Sequence, residues 1–404
     1  MSRRHTFLVL VCLTAASCDP RLPSGPDILV DFEFIDAPTT PLSDSGKMAM
    51  NGVYEVVQGV SELGNPVVAK WAGNRFRIAS QHDVVYSISA GGSSGDSIKL
   101  RGYMRRVRSG AGGRVRFTVS STDGAAEVIA GVAPVSLRIR GESEAGVVFE
   151  LRRVRGLAPS PFVVLAHRGG GRNSDRLGIS ENSVEMIRYA ETLGATGVEV
   201  DVKLTRDAVP ILFHDDTFSP RTVQGTYLLG KVENFDLNQI KALGRLIHGE
   251  QIPTLKEAMV AVIDETRLSL VWLDIKDPSA VKPVVELQEE LMAYASGKGR
   301  ADLSILLGIP SQDVLRAYEP FQEDADALVE LESETALRLP RCRVWAPVWT
   351  RQIDPGVVAA LRASGRSVFT WTVDLRESIT SYMDRVDGIL TNYPTLVVAL
   401  RDAR

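Results

Sequence analysis

Val163-Val164-Leu165-Ala166-His167-Arg168-Gly169 is an apolar run that stops on a histidine and an arginine, just before a glycine-rich turn. It reads as a buried strand that delivers two polar groups to a loop. The pattern returns downstream. Gly197-Val198-Glu199-Val200-Asp201, Ile211-Leu212-Phe213-His214-Asp215 and the run from Leu268 to Lys276 all place histidines or carboxylates at or near the end of a hydrophobic stretch. The last of these, Leu-Ser-Leu-Val-Trp-Leu-Asp-Ile up to residue 275, is close to continuously apolar, as a parallel strand covered on both faces should be.

Working outward, apolar runs near 162–167, 197–202, 268–275, 303–309, 327–331, 343–348, 367–373 and 387–391 predict strands. Helical periodicity fills the intervals, as in Ser183 to Leu193, Thr254 to Thr266, Val281 to Ala295 and Pro355 to Ala363. Eight βα units over residues 160–404 predict an α/β TIM barrel, the (β/α)8 fold. A doubly wound sheet would give the same alternation, but no glycine-rich phosphate turn with an acidic residue about 20 positions later follows a first strand.

Residues 28–156 have a different rhythm. Short period-two runs such as 52–57, 83–88, 97–101, 114–119, 136–140 and 148–152 are separated by turn residues, including Gly91 to Gly95 and Ser109 to Gly113. They predict a smaller antiparallel β domain, a barrel or a sandwich, with the boundary at Pro159 and Pro161. Its second half is basic, with Arg101, Arg105, Arg106, Arg108, Arg114, Arg116, Arg138, Arg140, Arg152, Arg153 and Arg155. At period two these read first as a solvated sheet face, and alternatively as a surface attracted to anionic lipid headgroups.

The chain has 404 residues, 44% hydrophobic and 24% charged, enough for two cores, and its net charge of -4 argues against nucleic acid as a partner. Arg3 and Arg4 precede the apolar run Phe7 to Leu13, and Ala15-Ala16-Ser17 leads to Cys18, the order of a signal peptide over 1–18. The segment from Leu13 resembles a bacterial lipobox, with Ala15 where a branched residue is usual. An exported lipoprotein of the bacterial cell envelope follows, periplasmic or on the outer surface. Membrane attachment would run through lipidated Cys18, with 19–27 as a tether; plain secretion is the alternative. Cys342 then has no partner, since Cys12 and Cys18 are the only others.

Glu199 and Asp201 are two residues apart, which on a strand points both carboxylates to one face. Two like charges inside a barrel call for a cation, and Asp274 on the next strand is the natural third ligand. Hard oxygen donors without cysteine suit a divalent metal, Mg2+ or Ca2+. Taken singly, each pair also reads as ordinary barrel-mouth ion pairing. His167 and His214 flank the acidic cluster, and their ordinary pKa lets one act as base and the other as acid at neutral pH.

Taken in order, His167-Arg168-Gly169, Glu181-Asn182, Glu199-Val200-Asp201, Thr205-Arg206-Asp207, His214-Asp215, Arg221-Thr222, Pro253-Thr254-Leu255, Asp274-Ile275-Lys276, Trp371-Thr372-Val373 and Gly388 to Pro394 resemble the motifs of the glycerophosphodiester phosphodiesterase family. The resemblance spans about 162–400 and leaves the β domain unmatched. It implies that His167 and His214 are the acid/base pair and that Arg168 binds phosphate. Glu199, Asp201 and Asp274 take the positions of the metal ligands, Asp274 standing where glutamate is common. Glu181 follows Ser180 rather than proline, Lys276 takes the place of a lysine near the phosphate, and Trp371 that of an aromatic wall against glycerol. The glycine loop 169–173 reads either as a phosphate cradle of backbone N–H groups or as a plain turn.

The expected activity is metal-dependent hydrolysis of a small-molecule glycerophosphodiester to glycerol 3-phosphate and an alcohol. Two alternatives stand beside it: a phosphodiesterase or lyase acting on another phospholipid-type diester, and an inactive anchored binding protein.

Overall fold

The structure, a computed structural model, describes residues 39–404 apart from 83, 111 and 226. The signal segment, Cys18, the tether and the start of the β domain lie outside the described residues. Eight antiparallel strands come first: β1 (Gly52–Gln58), β2 (Val67–Ala72), β3 (Arg75–Ser80), β4 (Val85–Ser94), β5 (Ser97–Arg106), β6 (Gly112–Val119), β7 (Arg138–Ser143) and β8 (Val148–Arg155). They pair in chain order and β8 returns to β1, so the sheet is a closed barrel and no sandwich. Closure removes both sheet edges. Helices α1 (Asp44–Met50), α2 (Val60–Leu63) and α3 (Ala125–Ile129) accompany them.

Two differences from the sequence reading have physical causes. Strands β2 and β3 escape a period-two search because most of their residues are buried on both faces, the outer face lying against the second barrel. Gly91 to Ser94, read as a turn, instead continue β4. A Cβ on Gly92 would stand 2.0 Å from the Thr40 carbonyl oxygen, so glycine there admits the chain segment that bridges Thr40 to Ser93.

The basic residues are largely satisfied within this barrel. Arg138 meets Glu150 at 2.7 Å, Arg140 meets Asp123 at 3.2 Å, and the Arg152 Nε donates to Glu55 at 3.0 Å. Arg105 departs furthest from a solvated face, because it is fully buried.

The second barrel begins with β9 (Val163–Ala166), α4 (Val184–Leu193) and β10 (Gly197–Leu204). An excursion follows: β11 (Pro210–Leu212), the pair β12 (Thr217–Phe218) and β13 (Gly230–Lys231), and α5 (Leu237–Leu243), around a small core of Phe213, Phe218, Val232 and Ile240. Helix α6 (Leu255–Glu265) returns to the frame, and its first turn is closed by Thr254 and Glu257 in a reciprocal capping box. Then come β14 (Leu270–Ile275), α7 (Val281–Gly297), β15 (Ser304–Ile309), α8 (Gln312–Tyr318), β16 (Ala327–Val329) and α9 (Ser333–Arg338). The remaining elements are β17 (Cys342–Trp345), α10 (Pro355–Ala363), β18 (Ser367–Thr370), α11 (Arg376–Tyr382), β19 (Gly388–Thr391) and α12 (Pro394–Asp402).

Parallel pairing runs β9-β10-β14-β15-β16-β17-β18-β19 and returns to β9, which closes a (β/α)8 barrel. Each predicted barrel strand is present within a few residues of its expected bounds. Helix α12 is buried almost all round, which a surface helix is not: it packs on β9 inside its own barrel and on β2 and β3 of the first. Among the described residues no helix is long and apolar enough to cross a membrane, and Cys342 is a buried free thiol.

Candidate active site

Successive residues of a barrel strand point alternately inward and outward. One inward level is apolar, built from Leu165, Trp272, Leu306, Leu328, Val344, Phe369 and Leu390. Two residues further along the same strands stand His167, Asp274, Gly308, Glu330, Ala346, Trp371 and Asn392. Strand β10 contributes both Glu199 and Asp201, and Asp201 is in register with Asp274. The barrel thus changes from hydrocarbon to charge within one step of the strand, at the C-terminal rim.

Glu199, Asp201 and Asp274 each offer an oxygen to a group whose members all lie within 4.8 Å of one another. Glu199 Oε1 and Asp274 Oδ1 are buried without a hydrogen-bond partner among the described residues, and Asp201 Oδ1 meets only the Lys276 ammonium. Orphaned acceptors of this kind are costly unless a cation meets them, so the donor set fits a hard divalent metal. The Lys276 ammonium lies 3.0 Å from Asp201 Oδ1 and also pairs with Asp274.

The electrostatics follow from that crowding. Burial first, then Asp201 and Asp274, push the Glu199 carboxyl well above its usual range. Burial also raises Asp274, against Lys276. At Asp201 burial is outweighed by Lys276, His214 and the Asn182 amide, which hold it below its ordinary value. Lys276 is correspondingly held well above the usual lysine range by Asp201 and Asp274, although burial opposes this.

The two histidines are anchored differently. The His167 Nδ1 lies 2.7 Å from Asn392 Oδ1, and the Asn392 amide donates to Asp374 Oδ2 at 2.6 Å. With its nitrogen committed to Asp374, Asn392 turns its oxygen to the imidazole, so His167 carries its proton on Nδ1. The bare Nε2 then faces the acidic cluster, 3.8 Å from Glu199 Oε2. Burial lowers the His167 pKa, against the Asn392 hydrogen bond. His214 sits in the loop after β11, half-exposed, with Nδ1 2.8 Å from Asp215 Oδ1. The Arg221 Nε donates to the other Asp215 oxygen at 2.9 Å.

Arg168 lies in the left-handed backbone region, φ +52°, as does Asn182 at φ +58°. Strain of this kind is held only where the surroundings over-determine it, and here Asn182 N–H donates to the Arg168 carbonyl at 2.9 Å. The Asn182 amide also donates to Asp201 Oδ2 at 2.8 Å. Arg168 Nη1 reaches Glu181 Oε1 at 3.0 Å, and Glu181 Oε2 accepts from the Asn173 N–H at 2.8 Å. Glu181 is therefore occupied in holding Arg168 and the loop.

The loop itself has little left for an anion. Its N–H groups at Gly170, Arg172 and Asn173 donate to His167, Asp175 and Glu181, which favours the plain-turn reading of 169–173. Trp371 donates from Nε1 to the Ala346 carbonyl at 2.8 Å and presents only its ring.

The structure thus brings His167, Arg168, Glu181, Glu199, Asp201, His214, Asp274, Lys276 and Trp371 to one rim. Sequence reasoning missed Asp374, Asn392 as a partner of His167, Arg221 as the brace of Asp215 and Glu181, and Glu330. Glu330 is a further acidic group at this rim, its carboxyl raised by burial and by Asp274. Its signal was available: Leu328-x-Glu330 repeats the apolar-x-acid ending of Trp272-x-Asp274. Asp374 left no such signal, because it lies in a loop beyond β18 and meets Asn392 only through the fold.

An α/β barrel whose rim sets hard oxygen ligands between two imidazoles, with cations beside them, is built for hydrolysis of an anionic ester. The model of the glycerophosphoryl diester phosphodiesterase family matches residues 167–396, more than half of the chain. The protein belongs to this family and is a phosphoric diester hydrolase.

It is 30% identical over 252 residues to the glycerophosphodiester phosphodiesterase of Caldanaerobacter subterraneus, covering 59% of this chain and 97% of that one. It is also 30% identical over 251 residues to a Mycobacterium tuberculosis protein named probable glycerophosphodiester phosphodiesterase 2, covering 58% of this chain and 89% of the relative. A solved structure of a glycerophosphodiester phosphodiesterase from Parabacteroides distasonis superposes with a TM-score of 0.49 at 21% identity, over 61% of this chain and 100% of that one.

Proposed function

We propose that the protein hydrolyses small glycerophosphodiesters to glycerol 3-phosphate and an alcohol, with a divalent metal on Glu199, Asp201 and Asp274, His167 as base and His214 as acid. The observation that carries the assignment is the contrast between the two imidazoles. His167 is largely enclosed, has its pKa lowered by desolvation, and keeps a bare Nε2 toward the acidic cluster. His214 is half-exposed and keeps Asp215 on Nδ1, which leaves its Nε2 turned away from that carboxylate to donate.

His167 Nε2 accepts the proton of the attacking hydroxyl, and His214 gives one to the departing alkoxide oxygen. Arg168 and Lys276 balance the charge that accumulates on the phosphoryl oxygens. When bound, Mg2+ or Ca2+ supplies Lewis-acid polarisation of a phosphoryl oxygen. Glu181 holds Arg168 in its strained position, and the Trp371 ring forms an apolar wall beside the glycerol moiety.

The test is release of glycerol phosphate from glycerophosphocholine, with intact phospholipid vesicles as a parallel substrate. EDTA is expected to abolish it, and His167→Ala and His214→Ala each to lower kcat by roughly 10²- to 10⁴-fold. Full turnover in either histidine variant would remove that residue from its role. Cleavage of the vesicles alone would move the substrate to intact lipid.

We further propose, on residues 3–18 alone, that the protein is exported and anchored in the bacterial cell envelope through lipid on Cys18, and, on the change of rhythm at Pro159 and Pro161, that 28–156 and 160–404 are its two domains. Incorporation of labelled fatty acid, lost in Cys18→Ser, checks the anchor.

A further inference from the structure

The first barrel stands beside the second along the height of α4 and reaches its rim. At the C-terminal end of α4, Arg77 donates to the Thr192 carbonyl at 3.0 Å. Midway, Tyr103 on β5 hydrogen-bonds Tyr189 through the two hydroxyls. Further along β5, Arg105 reaches the loop that follows β9: its Nη2 donates to the carbonyls of Asp175, at 3.0 Å, and Arg176. Beyond β5, Arg108 lies over the Tyr393 ring, 6.0 Å from its centroid. Tyr393 follows Asn392, the partner of His167.

Arg105 is fully buried, and its Nε and Nη1 have no hydrogen-bond partner among the described residues. A buried guanidinium so poorly satisfied is a weak contributor to stability. What it does hold is a stretch of backbone two residues from Asn173. Asn173 in turn grips Glu181 twice, N–H to Oε2 at 2.8 Å and Oδ1 to the Glu181 N–H at 2.9 Å. Glu181 holds Arg168. The chain of contacts from the first barrel to the phosphate side of the site is unbroken: Arg105, the 175–176 carbonyls, Asn173, Glu181, Arg168.

We infer that the β5–β6 hairpin is a positioning element of the active site, with Arg105 fixing the loop that aims Arg168 and Arg108 steadying the segment that aims His167. The inference rests on the phosphodiesterase reading for its kinetic consequence, while its structural half stands apart from it. The first barrel then completes the rim that a barrel without it would leave loose.

Hydrogen exchange and steady-state kinetics on the full chain test this with Arg105→Met, which keeps the apolar length and removes the donors. Arg77→Met, at the same interface but the far end of α4, is the control. Arg105→Met is expected to speed exchange in 170–182 and to lower kcat/KM by about tenfold or more, the scale of a small misplacement of reacting groups. Arg77→Met is expected to leave both at parent values, and Arg105→Lys to recover part of the loss.

Unchanged exchange in 170–182, kcat/KM within twofold of the parent, or an equal loss in Arg77→Met would each overturn the inference. If Arg105→Met does not fold, the exposed Arg108→Ala decides: faster exchange in 391–395 with lower kcat/KM supports the hairpin's role, and parent values refute it. A parent protein inactive on every diester would count against the proposed function, and the exchange comparison would still decide the clamp.

Discussion

At the residue scale, the acidic cluster ties the stability of the molecule to pH. The Glu199 carboxyl is pushed up by burial and by Asp201 and Asp274, so the metal-free folded state retains a proton that the unfolded chain releases near pH ~4.3. Where the folded state binds the extra proton, stability falls as pH rises. The metal-free protein should therefore lose stability from about pH 4.3 upward, through the raised Glu199 value. Metal on the same oxygens competes with that proton, so Mg2+ or Ca2+ should raise the melting temperature more at pH 8 than at pH 6. Melts with EDTA and with metal at both pH values check it; an equal gain would place the metal elsewhere. Asp201 acts in a separate window, since its lowered value costs stability only on acidification below the ordinary carboxylate range. The sequence placed these carboxylates on one face because the period of a strand is two. It did not reveal which would hold a proton, since that depends on three-dimensional crowding.

At the element scale, the inward row of the barrel strands carries a polar or aromatic side chain in six places and is silent at Gly308 and Ala346. Trp272 occupies the space beside Gly308: a Cβ on Gly308 would lie 2.6 Å from Trp272 Nε1 and 2.7 Å from the Leu273 carbonyl. Gly308→Ala is expected to destabilise the protein by about 1–3 kcal/mol, the usual range for overpacking a filled core. A denaturant midpoint unchanged by the substitution would show that the interior relaxes. Strands β2 and β3 were illegible for the opposite reason, because burial on both faces erased the alternation that marks β6. Helices α4, α6, α7 and α10 were legible because an apolar stripe with a polar face survives on the outside of a barrel.

At the scale of the whole molecule, the first barrel keeps an interior core of its own, and a hydrophobic interface joins it to the second. Tyr86, Ile88 and Tyr103 of the first join Leu177, Ile187 and Leu193 of the second in a continuous cluster. That interface cluster couples the halves, so the full chain should unfold in one cooperative transition. Tyr103→Ala removes a fully enclosed ring and its hydroxyl contact to Tyr189, and is expected to cost about 3 kcal/mol or more, as large-to-small core changes do. Calorimetry should show one endotherm shifted down as a unit. Two transitions with only the first displaced would show that the barrels fold independently.

Local sequence determined what depends on near neighbours: the alternation of strands and helices, the change of rhythm near residue 156, and the polar endings that converge on a barrel rim. Those follow from periods of 2 and 3.6, which a chain carries openly. Tertiary structure alone decided the closure of the first sheet into a barrel and the role of Asp374 behind Asn392. It also decided the burial of Arg105 between the barrels. Each joins residues far apart in the chain, and their meeting is set by packing, which no local pattern records.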